Sequence, residues 1–420
     1  MNEPSSPSLS APLPTTLLTD ARRRLLNGAA LLLALLWLVA LALTITPESD
    51  YQYYWSSARR FLEDGQLYEL HPDVPVSALP EGDPIRGKYI YPPVFTYLIQ
   101  PLGLLDYPTS LWVWLALNAG FLAGFVWLCV QISGATLAWR LWGPLILLVL
   151  IAPPVRLSFQ LGQLSLLLAL MLAGTLALER RPLIAATLLA LISWFRIYPA
   201  LMGLYYLLDR RYALVRWCIL AGLAIFGVSL LIYGLEPYQS FLQNILLQYP
   251  YPYAAEHNIS LFGFWSRLLT DNPYTRAPLQ LPELAVLLNG LSSLALLGWC
   301  ALLTRRAGPQ ADRRLLFCLW SCVMLLLSPT NGYYNLVLAL LPLLLLLRTL
   351  EQRPDPAMRN WLVLGSALLC IPPTWTDGLP LLYNSLHTGW GVLALTPSLY
   401  GLLIYTWLLG RLMGRNNASL

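Results

Sequence analysis

Apolar runs recur along almost the whole chain, and short polar or basic segments close each one. The first lies behind Arg22-Arg23-Arg24 and extends from Ala29 to Thr46. Others follow near 109–132, 141–154, 164–178, 183–193, 199–208, 213–233, 283–304, 315–327, 335–348, 360–373 and 390–409. A bilayer core is spanned by a helix of ~20 apolar residues. The longer runs therefore predict spans. The shorter ones predict tilted helices or broken halves lining a cavity, where irregular backbone is tolerated. The pattern predicts an all-α polytopic membrane protein with about 12 transmembrane helices.

One apolar stretch breaks the series. Val94–Leu105 is short and stands between Pro92-Pro93 and Asp106. We read it as a juxtamembrane or re-entrant helix that does not cross. With that single exception, 18 of the 26 basic residues fall on one side of the threading. Short cytoplasmic loops collect Lys and Arg, so that side is read as cytoplasmic, with both termini on it. Residues 1–28 are read as a disordered cytoplasmic tail, 29–410 as one transmembrane domain and 411–420 as a second tail. The first run has no small-residue cleavage site after it and is read as an uncleaved helix. The external face then receives the segments 47–108, 155–163, 234–282, 328–334 and 374–389.

The long segment 47–108 opens with a different periodicity. From Asp50 to Asp64, Tyr51, Tyr54, Trp55, Ala58, Phe61 and Leu62 recur at helical spacing, and Gly65 follows. That predicts an amphipathic helix, closed by a glycine and suited to the membrane interface. Composition agrees with the membrane reading: 57% of residues are hydrophobic and 11% charged, against roughly 25% charged in soluble domains. The six cysteines all fall inside apolar runs without metal-ligand spacing, so they are read as core or lipid-facing residues. No glycine-rich phosphate loop appears, which argues against a soluble nucleotide-sugar enzyme. No metal or other cofactor is expected.

The candidate chemistry gathers on the external side. Asp50 is either a general base or the N-cap of the helix it precedes. Arg196, in Trp194-Phe195-Arg196-Ile197-Tyr198-Pro199, is a charge at membrane depth. It is either a phosphate ligand or a side chain snorkelling to the surface. His257, followed by Asn258-Ile259-Ser260, either binds phosphate or sugar or is solvated in its loop. Gln163, in Phe159-Gln160-Leu161-Gly162-Gln163, either meets hydroxyls or caps a helix break. Arg59 and Arg60 are reserve cations. Asn258, Tyr54 and Tyr91 complete the candidates for the donor site.

These segments, in this order, resemble glycosyltransferase family 87, a group of the GT-C membrane glycosyltransferases. The resemblance rests on Asp50–Gly65 with Tyr68, Tyr91-Pro92-Pro93, Phe159 to Gln163, and Arg196-Ile197-Tyr198-Pro199 followed by Asp209-Arg210-Arg211. It rests also on His257-Asn258-Ile259-Ser260 and on Ser328-Pro329 with Tyr333-Tyr334. It implies a GT-C-type fold and a polyprenyl-phosphate-linked sugar donor, mannose first among the sugars. It further implies inverting transfer to an external lipid or glycan acceptor at the plasma membrane, with Asp50 as base. Many relatives carry Lys where this chain has Arg196. A transporter or flippase of lipid-linked sugars is the alternative, as is the same fold using glucose or arabinofuranose.

Overall fold

In a computed structural model, residues 20–43, 49–68, 89–136, 140–247, 254–308, 311–376 and 379–418 are described. They form helices joined by short turns. The first half contains α1 (Asp20–Leu43), α2 (Tyr51–Asp64), α3 (Pro93–Ile99), α4 (Tyr107–Ser133), α5 (Trp142–Ile151) and α6 (Pro153–Gln160). Next come α7 (Ser165–Ala177), α8 (Pro182–Phe195), α9 (Leu201–Leu208), α10 (Tyr212–Tyr233) and α11 (Glu236–Phe241). The last third holds α12 (Leu261–Leu269), α13 (Pro282–Arg306), α14 (Arg313–Leu327), α15 (Leu340–Gln352), α16 (Pro356–Leu369), α17 (Pro380–Leu386) and α18 (Pro397–Ala418).

Burial divides these helices into two kinds. Nearly every residue of α7 and α14 is buried, and they form the centre of the bundle. By contrast, α10 and α13 are apolar yet have only a few buried residues each. A helix apolar all round and uncovered by protein needs lipid as its surroundings. The chain is therefore a multi-pass membrane protein. Among the described residues, five helical segments are long and apolar enough to cross, or six if α5 and α6 form one span bent by 62°. The dozen spans expected from the sequence include shorter helices, such as α7 and α8, that do not reach that length.

The bend is at Ala152-Pro153-Pro154. Proline has no N–H to give to the preceding turn and its ring collides with it, so α5 ends at Ile151 and α6 starts in a new direction. The segment 155–163, expected as an external loop, is thus mostly helix α6. Two termini also differ from expectation. α1 starts at Asp20, inside the expected tail, and α18 continues to Ala418. Residues 1–19 lie outside the described set.

The stretch after Pro92 is not one continuous helix. It forms α3 and a 3-10 turn over Gln100–Leu104, both too short to cross. It packs on α2, and the backbone of Gly103 lies where a Cβ would meet Ala58 at 2.9 Å. α2 closes at Gly65, which adopts φ +76, a left-handed conformation that suits glycine. At the far end of α8, about 20 Å from Arg196 at 1.5 Å per residue, an ion-pair group ties three loops together. Arg211 reaches Glu179 at 2.9 Å and Asp209 at 3.1 Å, Arg313 also pairs with Asp209, and the Tyr206 hydroxyl donates to Glu179 at 3.0 Å. This gives the Asp209-Arg210-Arg211 segment a structural role.

Candidate active site

Asp50 opens α2 but does not cap it. Its side chain makes no hydrogen bond to the first turn. Its carboxylate instead accepts a hydrogen bond from the Gln163 side-chain amide. The turn that carries Gln163 is fastened to the start of α2. The backbone N–H of Tyr51 donates to the Leu161 carbonyl at 3.1 Å, and the Trp114 indole donates to the Gly162 carbonyl at 2.7 Å. Gly162 is needed here on two counts. Its φ is +62, and a Cβ would stand 2.7 Å from the Cβ of Tyr51.

A chain of hydrogen bonds runs from Arg196 to Asp50. Arg196 leaves α8 in an extended conformation. Its Nη2 donates to the Tyr91 hydroxyl at 2.5 Å and to Gln163 Oε1 at 3.2 Å. The Tyr54 hydroxyl lies 2.6 Å from that of Tyr91 and donates to Gln163 Oε1 at 3.2 Å. A guanidinium can only donate and an amide oxygen can only accept. The order is therefore Arg196 to Tyr91, Tyr91 to Tyr54, Tyr54 to Gln163, and Gln163 to Asp50. Every donor points toward the carboxylate. The Arg196 guanidinium also lies 4.9 Å from the Tyr91 ring centre and 5.7 Å from that of Tyr334, a favourable placement for a cation.

The Asp50 carboxyl is pushed up to about 6 by burial, while the Arg196 charge and the Gln163 hydrogen bond hold it lower than burial alone would. A carboxylate poised there is ionised at neutral pH yet more basic than a solvated one, as a general base requires.

Asp50, Arg196, Gln163, Tyr54, Tyr91 and His257 line one cavity of about 570 Å³. Arg156 and Glu256, not among the sequence candidates, line it too, as do Gln160 and Tyr334 from the segments quoted above. The signal for Arg156 was present: a charge inside an otherwise apolar run, two residues after a proline pair. Three candidates lie elsewhere. Arg59 and Arg60 sit on the outer face of α2, paired at helical spacing with Glu63 at 2.5 Å and Asp64 at 3.0 Å. The opposite face of α2 carries Tyr51, Tyr54 and Ala58 into the bundle, and that fixes which way both arginines point. Asn258 is fully buried and fastens its loop instead. Its amide donates to the Pro329 carbonyl at 2.9 Å and its oxygen accepts from the Asn331 N–H at 3.1 Å. Arg267, also fully buried, donates to the carbonyls of Ala255 and Asn258 at 2.9 and 3.0 Å, on either side of Glu256 and His257.

A second cavity, about 530 Å³ and largely apolar, shares Ile90, Tyr91, Arg196 and Thr330 with the first. It runs along Phe195, Ile245, Leu297 and Leu327. A chamber lined by charged groups thus adjoins an apolar groove, with a cation at the wall they share. The sequence model of glycosyltransferase family 87 matches residues 89–329. The chain belongs to glycosyltransferase family 87. This family 87 enzyme is 28% identical over 377 residues to a polyprenol-phosphate-mannose-dependent alpha-(1-2)-phosphatidylinositol pentamannoside mannosyltransferase of Mycobacterium tuberculosis, covering 84% of this chain and 81% of that one. It is 27% identical over 362 residues to the protein of the same name from Mycolicibacterium smegmatis, covering 84% and 82%. It is a glycosyltransferase.

Proposed function

We propose that this enzyme moves a mannosyl group from a polyprenyl phosphate to a hydroxyl of a lipid or glycan acceptor, in a single inverting displacement outside the cytoplasm. The prenyl chain lies in the apolar groove. The phosphate lies at Arg196, where groove and chamber meet, and the sugar points into the chamber toward Asp50. Asp50 takes the proton of the acceptor hydroxyl as that oxygen attacks the anomeric carbon. A phosphate leaves without strong acid help, so positioning and charge compensation remain as the protein's tasks.

The observation that carries this reading is the state of Asp50. It is released from helix capping, raised in basicity and wired through Gln163 to a cation at the mouth of an apolar groove. The donor and the lipid acceptor are those in the names of the mycobacterial relatives. The basic residues on the opposite side of the threading support an external site.

The test is transfer from radiolabelled polyprenyl-phosphate-mannose by membranes containing the native chain or Asp50→Asn, at equal expression. Transfer by the native chain and its loss in the variant support the reading. Equal transfer by both removes Asp50 as base. No transfer by either removes mannose as the donor sugar.

A further inference from the structure

Two guanidinium groups line the reaction chamber, and only one is held by protein. Arg196 donates to Tyr91 and Gln163. The Arg156 guanidinium makes no hydrogen bond or ion pair with the described residues. The Nε of both is buried and unpartnered. Guanidinium nitrogens are obligate donors, and a buried donor without a partner is costly. Among the described residues of the chamber wall, these two nitrogens are thus buried donors left without an acceptor. Arg156 stands on α6, whose direction is set by the Pro153-Pro154 bend. That bend brings a charge from within an apolar run to the chamber wall. Ser158, on the same helix, is 3.4 Å from the Tyr334 carbonyl, and the Tyr334 ring faces Arg196. Tyr334 thus links the wall that carries Arg156 to Arg196.

We propose that Arg156 is a second phosphate-binding cation of the transfer site, acting on the phosphate as it departs. This rests on the mannosyl-transfer reading above. In that reaction the bond from the anomeric carbon to the phosphate oxygen breaks, and its electron pair stays on the oxygen. The acceptor oxygen bonds to the anomeric carbon and its proton goes to Asp50. The lipid phosphate begins as a diester with one negative charge and ends as a monoester able to carry two. Arg196 alone, with Nη2 already committed to Tyr91 and Gln163, matches the first state. The added charge calls for further donors, and Arg156 supplies a fork suited to phosphate oxygens. An interaction that strengthens as charge develops accelerates the step, whereas one equal in both states only tightens binding.

The experiment uses the full-length enzyme in detergent, native and with Arg156→Gln or Arg156→Lys. It compares the donor KM, kcat and inhibition by the product polyprenyl phosphate. In Arg156→Gln the product inhibition constant should rise about ten- to a hundredfold, while donor KM rises less than about threefold and kcat falls. Arg156→Lys should lie between, keeping the charge without the fork. Comparing the two constants within one preparation removes any dependence on the folded fraction. If both constants are unchanged, or rise by the same factor, Arg156 does not act on the departing phosphate. If the native chain transfers nothing from this donor, the mannosyl-transfer reading fails and takes this assignment with it.

Discussion

At the scale of the residue, Asp50 links stability and activity with opposite signs. Its carboxyl is raised from an ordinary 3.8 to about 6, first by burial. As the proposed base it must be ionised, so kcat/KM should rise with pH through about 6 and then level off. Arg196 holds that carboxyl down, so Arg196→Gln should move the inflection upward as well as weaken donor binding. A pH profile of transfer with each form checks this, and an unmoved inflection would separate Arg196 from Asp50. For stability, the folded state binds the Asp50 proton more tightly than the unfolded chain does. The resulting stabilisation is present below pH 3.8 and is lost as pH rises through about 6. At neutral pH the ionised group therefore costs folding free energy, about 3 kcal/mol at most. Asp50→Asn keeps an acceptor for Gln163 and removes the charge. It should raise the thermal midpoint in detergent while abolishing transfer. A lowered midpoint would mean that the charge supports the fold.

At the scale of the element, the turn between α6 and α7 decides the geometry. Gln163 reaches Asp50 only because Leu161 and Gly162 are fastened to Tyr51 and Trp114. Gly162→Ala must either leave φ +62 or push Tyr51 away. The strain alone costs about 1–2 kcal/mol. Transfer should fall much further than the thermal midpoint, because the displaced element carries Asp50. Equal transfer by this variant would mean that the turn does not position the base. The sequence made the elements themselves visible. The spacing from Tyr51 to Phe61 and the closing Gly65 gave α2, and Pro92-Pro93 with Asp106 set off the stretch that does not cross. The junctions were harder to read. Pro153-Pro154 was plain in the sequence, but a break in a span and its end look alike in one dimension. Asn258 and Gln163 were both candidates for the donor site. Only the packing of distant loops makes one a fastening and the other a neighbour of Asp50. The partners of Arg196, Tyr91 and Gln163, lie 105 and 33 residues away, beyond any local pattern.

At the scale of the whole molecule, two cavities meeting at one cation imply two ways in. In the proposed reaction, the donor's lipid would enter from the bilayer through the apolar groove, and the acceptor would reach the chamber from the other side. A third hollow of about 780 Å³ lies across Phe195, between the 94–104 stretch and α10. The 92–105 region thus bounds apolar space. Even so, the groove at Arg196 is walled by the segments 195–201, 241–246 and 328–330 and by residues of α13 and α14, with only Pro92 from that region. That division gives a prediction which no single polar residue carries. Ser293 lines the groove on α13, far in sequence from Asp50 and absent from the chamber wall. Ser293→Trp should fill part of the groove and leave the chamber intact. Each isoprene unit excluded from the groove loses burial at ~0.8 kcal/mol per CH₂ group. KM for a long polyprenyl-phosphate-mannose should therefore rise at least tenfold, while KM for a one- or two-isoprene analogue stays nearly constant. kcat for the short analogue should also hold, because the reacting groups are untouched. Measuring both donors with both forms separates a lipid groove from a structural void. If the long and short donors suffer alike, the groove does not hold the chain. The prenyl group would then have to lie in the hollow beyond Phe195.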